Sequence, residues 1–188
     1  KGQVGNIIQH YGFGLPPNSI AEPDFAGERI ELKIIPLTRS GKGQLRVKER
    51  TKVCSINYQS IVKETWEVSH AHSKLNKILF VVVEHNYEQK IESKILDAFM
   101  FRVPEVEDYP IIQQDWKRTQ STVQEGRAHE ISERHSKILA ASRAGAGGPA
   151  DLVVQPYSTI KAPKRAFSLK PSYTNAIIEE YKLKGKMI

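Results

Sequence analysis

The chain has 188 residues, 39% hydrophobic and 26% charged, with 28 Lys and Arg against 21 Asp and Glu for a formal net charge of +7. That length and balance describe an ordinary globular protein with a sizeable core, and no stretch approaches the roughly 20 apolar residues that cross a bilayer. The single cysteine, Cys54, excludes an internal disulfide and a cysteine-based zinc site and fits a reducing compartment.

The opening KGQVG has neither an initiator Met nor a signal-like apolar segment, so the expectation is a fragment with no export signal. Val4, Ile7, Ile8 and Tyr11 recur at helical spacing and predict a helix over 1–12, followed by a Pro/Asn/Ser loop over 13–23. In RIELKIIPL, Ile30, Leu32 and Ile34 alternate with Glu31 and Lys33, the pattern of a strand with one apolar and one charged face. A basic loop over 38–52, carrying Lys42, Arg46, Lys48 and Arg50, either wraps a polyanion or forms a solvated flap. Strands are expected over 53–59, over Lys77 to Glu84 (central, buried on both faces) and in KILDAFMFRV. A helix from about Pro110 to Glu125 turns Ile112, Trp116 and Val123 inward.

The final third differs in kind. From Arg134 to Ile188 there are ten basic and three acidic residues, so the whole positive excess lies there. Such a segment suits either a polyanion, nucleic acid being the commonest, or a solvated surface. It contains an apolar stretch at Ile138–Ala141, the Gly-rich loop RAGAGGPAD, a strand in RAFSLK and a last helix capped near Ser172 that carries Ala176, Ile177 and Tyr181. Helices flanking a mixed sheet make the fold α/β or α+β, with two lobes and a cleft between them.

The chemistry concentrates in EPDFAGERIELK, Glu22 to Lys33. Period two puts Glu31 and Lys33 on one strand face, and Asp24, in the preceding turn, can fold back beside them. Two carboxylates and an ammonium are what phosphodiester hydrolysis needs: oxygen ligands for a hard cation and a positive group for the attacking water or the developing phosphorane charge. The rival reading is a solvent-facing Glu–Lys pair. His70 and His72 lack an identifiable third ligand and read as a hydrogen-bonded pair supporting Lys74. The Gly145–Pro149 loop lacks the ending of a P-loop, Cys54 reads as a buried inert thiol, and Trp66 and Trp116 as core.

A series of ordered motifs carries a family resemblance. They are KGxVG at Lys1–Gly5, PDF at Pro23–Phe25, ELKxxP at Glu31–Pro36, TWExSH at Thr65–His70, KL at Lys74–Leu75, DW at Asp115–Trp116, GRAHEISE at Gly126–Glu133 and RAFSLK at Arg165–Lys170. Together they resemble the MutH family of PD-(D/E)xK endonucleases, which holds the mismatch-repair nicking enzyme and type II restriction endonucleases that cut GATC. The tail through QPY (Gln155–Tyr157) looks nearer the restriction branch, whose catalytic N-terminal half this chain would match. The resemblance implies one endonuclease domain over 1–188 with a restriction-endonuclease-like mixed sheet, a catalytic lobe to about 105 and a DNA-recognition lobe over about 106–188. It further implies Mg2+, with Mn2+ able to substitute, and a bacterial cytoplasmic setting. The expected partner is double-stranded DNA containing GATC, engaged with a second related domain or as a transient homodimer.

Residue by residue, it makes Asp24 and Glu31 metal-binding carboxylates, helped by the Leu32 carbonyl, Lys33 the catalytic lysine and Lys74 a second active-site lysine. The family's further carboxylate falls at Gln9, where this sequence departs from the pattern. Either His10, Glu22 or Glu28 substitutes, or the site works with one cation fewer, or Gln9 was engineered to stop cleavage. Base readout is implied for Ser142, Arg143 and Gly145 and for Ser168 and Lys170, with Ser168 standing where the nicking enzyme has tyrosine. Lys1 joins the DNA-binding set, and Lys137, Lys161, Lys164 and Arg165 read as phosphate contacts.

Overall fold

The computed structural model describes residues 3–16, 22–85 and 93–183, and the chain divides into two compact units. One comprises Lys1–Thr51, Lys74–Arg102 and Pro171–Ile188; the other comprises Lys52–Ser73 and Val103–Lys170. The sequence suggests a single dividing point near 105, whereas the chain passes between the units four times.

The first unit is a four-stranded mixed sheet, ordered β2-β1-β4-β5, covered by helices. Strand β1 (Glu31–Arg39) runs parallel to β4 (Ile78–Glu84), with Glu31 opposite Ile78 and Lys33 opposite Phe80. β5 (Lys94–Phe101) is antiparallel to β4. The apolar run of β4 makes it central: Phe80, Val81, Val82 and Val83 are all buried. Leu32, Val81 and Val83 pack beneath Val4, Ile8, Phe13 and Phe25. Phe80 packs on Phe99 and Phe101, which both meet Tyr181; this tyrosine stacks on Phe99 at 4.2 Å and donates to the Met100 carbonyl at 2.7 Å.

Two expected elements change form here. The first helix, α1 (Gln3–Ile7), loosens into a π-helical turn over Ile8–Gly12, which carries Gln9. Within the expected loop lies β2 (Leu45–Val47), paired antiparallel with the end of β1. A tight turn closes this hairpin, with Ser40 N donating to the Gln44 carbonyl and Gly43 at φ +78°. Val47, whose backbone N–H and carbonyl are bracketed by the Asn175 amide, seals it.

In the second unit β3 (Thr51–Ser55), β9 (Arg165–Leu169) and β6 (Leu139–Arg143) form a sheet ordered β3-β9-β6. The strand expected over 53–59 stops at Ser55, because Asn57 caps a short helix, α2 (Tyr58–Ile61), accepting from the Gln59 and Ser60 N–H groups. α3 (His70–Leu75) places His70 and His72 on a helix, and His72 lies edge-on to Trp66 at 5.1 Å. α4 (Tyr109–Gln124) starts with a proline in its first turn and buries Ile112, Trp116 and Val123 as the periodicity predicts. β7 (Leu152–Val153) pairs with β8 (Ala162–Pro163). The last helix, α5 (Pro171–Leu183), belongs to the first unit; it buries Ile177 and Ile178 but leaves Ala176 exposed. No helix among the described residues is long and apolar enough to cross a membrane.

Candidate active site

The expected charged face at the start of β1 is not a solvent face. Ile35 and Leu37, on the same side as Glu31, are buried, and Glu31 itself is only 3% exposed. A carboxylate cannot be buried alone without a large desolvation cost. Its partners are two ammonium groups: Lys33 Nζ on Oε1, and Lys74 Nζ on Oε2 at 2.8 Å. Lys74, 6% exposed, reaches Glu31 from α3 and also donates to the Glu22 carbonyl.

Asp24 completes the group. Phe25 and Ile30 bridge as a miniature hairpin, which turns the segment back on itself. Asp24 Oδ2 then accepts from the Leu32 N–H at 2.9 Å, fixing this carboxylate one residue from Glu31. Gln9 Nε2 lies 3.5 Å from Asp24 Oδ1. Gln9, Asp24, Glu31, Leu32, Lys33 and Lys74 are thus linked in one unit. Asp24, Glu31, Lys33 and Lys74 sum to zero formal charge, so a dication and a phosphate can enter without opposing a local excess of either sign.

The donor chemistry fits a hard cation. Asp24 and Glu31 offer carboxylate oxygens, with Gln9 turning its amide nitrogen to Asp24, and no group of three or more His, Cys, Asp and Glu that could hold a metal gathers among the described residues. Two carboxylates suit Mg2+, which keeps several waters and takes one or two protein carboxylates together with substrate phosphate.

The family described as DNA mismatch repair enzyme MutH matches residues 13–115, more than half the chain, including Asp24, β1, Lys74, β4 and β5. The chain is also 31% identical over 182 residues to the DNA mismatch repair protein MutH of Vibrio campbellii, covering 95% of this chain and 77% of that protein. The chain belongs to the MutH family. The chain is also 35% identical over 190 residues to the type II restriction enzyme Sau3AI of Staphylococcus aureus, covering all of this chain but 38% of the enzyme. The MutH protein of Vibrio parahaemolyticus serotype O3:K6 is 30% identical over 182 residues, 77% of its length.

Of the further residues that the MutH resemblance marks for DNA binding, several lie in the second unit's interior. Ser142 and Ser168 are buried, their hydroxyls 2.9 Å apart between β6 and β9, and Ser142 Oγ also donates to the Ala166 carbonyl at 3.2 Å. Arg165 is buried too: its guanidinium donates to the Ala141 carbonyl at 2.7 Å and to the Ile131 carbonyl, and burial pulls its pKa below the usual value. An arginine so used is not free to meet a phosphate, and two serines bonded to each other are not presented to a base edge. These three expectations are corrected: β9 is buried throughout and β6 as far as Ser142, so their polar side chains must find partners inside. Lys170 is half-buried and donates to the Ser136 carbonyl.

Arg143 and Lys137 are exposed, as is Lys164, which lies 3.3 Å from the Ala150 carbonyl. Gly145, at φ +97°, folds so closely on Asp151 that a Cβ there would meet its carboxylate at 2.3–2.4 Å. Lys1 lies outside the described residues.

Two contributors escape a reading of the sequence alone. The Glu22 carbonyl that holds Lys74 leaves no side-chain signature. Asp115, noted only within a DW motif, is 3% exposed and anchors β6, accepting from the N–H groups of Lys137, Ile138 and Leu139 at 2.7–3.0 Å.

Proposed function

We propose that this chain is the catalytic part of a Mg2+-dependent, site-specific deoxyribonuclease that hydrolyses a phosphodiester bond of double-stranded DNA at a GATC-type site, in a bacterial cytoplasm. The observation that carries this is one buried carboxylate, Glu31, held between Lys33 and Lys74, with Asp24 docked on the next peptide N–H. A surface Glu–Lys pair would not be buried or need a second lysine brought from a helix. The site specificity rests on the MutH resemblance, and the likeness to a restriction enzyme across the whole chain supports the restriction branch.

Asp24, Glu31, the Leu32 carbonyl and the Gln9 amide oxygen would hold the cation, which supplies Lewis acidity and an activated water when bound. Lys33, more open than Glu31 with its side chain 17% exposed, positions the attacking water for in-line displacement. Lys74 holds Glu31 in place and offsets charge that gathers on the phosphorane. In the second unit, Arg143 would read a guanine edge, Lys137 and Lys164 would hold phosphates, and the Gly145 turn would let the backbone approach the duplex.

A second reading has an observation of its own. A neutral Gln9 beside Asp24 lowers the site's negative charge, as in a domain that binds GATC but has lost cleavage. Supercoiled plasmid incubated with Mg2+ separates the two. The endonuclease nicks or linearises it, whereas specific gel retardation with no strand break at any Mg2+ or Mn2+ concentration leaves only the binder. In a cutting chain, Asp24→Ala is expected to lower the rate at least 10³-fold while duplex affinity in Ca2+ changes less than threefold; cutting that survives removes Asp24 from the site.

A further inference from the structure

Four of the nine large hydrophobic residues exposed among the described residues fall in one stretch of nine: Leu152, Val154, Tyr157 and Ile160. Tyr157 is 74% exposed, Val154 65% and Ile160 55%. The backbone at Tyr157 has φ +60°, a left-handed conformation that among the described non-glycine residues only Arg29 shares. A bulky side chain pays a steric penalty there that glycine or asparagine would avoid. The position follows Pro156 in a turn, where a residue of the glycine or asparagine type is the ordinary choice.

The surrounding loop is firmly fastened. Gln155, 2% exposed, accepts from the Ala128 N–H at 2.7 Å, donates to the Ile160 carbonyl at 2.6 Å and lies 3.0 Å from His129 Nδ1. On the other flank the Tyr157 carbonyl lies so close to Gly126, itself at φ +72°, that a Cβ there would sit 2.5 Å away. The unit therefore holds a strained turn in place and points an aromatic ring outward, where the ring adds little to the core. A ring kept at a conformational cost and pre-positioned in this way suits contact with something outside the chain.

Charge identifies that partner. Between Asp151 and Glu179 the sequence has no acidic residue, while Lys161, on the heels of Ile160, and Lys164 are both exposed. An apolar cluster followed by these two cations, with Asp151 before Leu152 drawn to 4.0 Å from Lys164, matches the sugars and bases of a duplex between its phosphates. We propose that Tyr157, with Val154 and Ile160, is an apolar wedge seated in the minor groove of the bound DNA, with Lys161 on an adjoining phosphate. This rests on the reading of the chain as a DNA-binding endonuclease and adds a contact which that reading does not include.

The test is equilibrium binding of the whole chain to a GATC duplex in Ca2+, repeated across a range of salt concentrations. Tyr157→Gly and Tyr157→Asn both suit the left-handed backbone, so both are expected to fold with an unchanged or raised thermal midpoint. Each should lose about tenfold or more in affinity at every salt concentration, with the slope of log K against log salt unaltered, because no phosphate contact is removed. Tyr157→Phe should stay within threefold of wild type, and Lys161→Ala should flatten the slope by about one.

Wild-type affinity in Tyr157→Gly and Tyr157→Asn overturns the wedge and assigns the patch to a protein partner. A loss accompanied by a flatter slope overturns it as well, since it signals a displaced loop. A loss in Tyr157→Phe equal to that in Tyr157→Gly places the effect on the hydroxyl and overturns the apolar contact. Failure of the wild-type chain to bind any duplex is a separate outcome: it removes the endonuclease reading itself and the wedge with it.

Discussion

Glu31 has an ammonium group on each of its oxygens, while its neighbour Asp24 has a peptide N–H on one oxygen and the Gln9 amide near the other. Position 9 therefore sets the charge offered to a cation. Gln9→Glu changes the local sum from zero to −1. Without a cation the new carboxylate repels Asp24, and stability in EDTA should fall by about 1 kcal/mol on urea denaturation. With a cation the added ligand should tighten Ca2+ binding about tenfold, read by calorimetric titration; unchanged affinity would show that Gln9 does not face the cation. A different residue governs the alkaline limit. Burial pushes the Tyr58 phenol up to about 12, against a weaker pull from Arg165, and its hydroxyl donates to the Pro163 carbonyl at 2.6 Å. The folded state holds this proton more tightly than the unfolded one. The contribution is therefore complete below about pH 10 and lost as pH rises through about 12, some 2–3 kcal/mol in all. Comparing urea midpoints of Tyr58→Phe and wild type over that window isolates the effect, since the phenylalanine variant lacks the step.

Among elements, the join between α4 and β6 rests on one side chain. Asp115, on α4's inner face, accepts from three consecutive N–H groups and so starts the strand that leads to Arg143. Asp115→Asn keeps the shape but turns an amide N–H toward peptide N–H groups. It should cost about 2–3 kcal/mol in urea denaturation and, by displacing β6, weaken duplex binding more than it slows cleavage of bound DNA. A cost under 0.5 kcal/mol would show that β6 is held by its pairing with β9 alone. Elements of this kind mark where sequence reading stops. β1, β4 and α4 are legible because each repeats its pattern over several residues, and the Glu31–Lys33 pair follows from period two. The meeting of Lys74 with Glu31, and of Asp115 with β6, depends on segments distant in sequence, so spacing carries no trace of it. Ser142, Ser168 and Arg165 mislead for a related reason: polarity in a basic segment suggests surface, yet β9 is covered throughout and β6 as far as Ser142, and their polar groups bond inward. The β2 hairpin escaped because its strand is three residues long and set among charges.

For the whole molecule, chain order and spatial order part company. α5 comes last yet seals the sheet that carries Glu31, through Tyr181 on Phe99 and Asn175 on Val47, while RAFSLK just before it belongs to the other unit. Among the described residues the proposed catalytic group of Asp24, Glu31, Lys33 and Lys74 occurs once. A palindromic site presents two scissile bonds, and one set of groups attacks one bond per encounter. The chain spans 38% of the Staphylococcus aureus restriction enzyme and 77% of the Vibrio campbellii MutH protein. For this chain by itself the expectation is sequential cutting. A plasmid with one site should pass from supercoiled to nicked circle and only then to linear, at a rate proportional to the first power of protein concentration. Raising salt from about 50 to 200 mM should slow both steps about 10²-fold if three or four phosphate contacts hold the duplex at subsaturating protein. Direct conversion to linear DNA, with a rate rising as the square of concentration, would instead require two copies to assemble before either strand is cut.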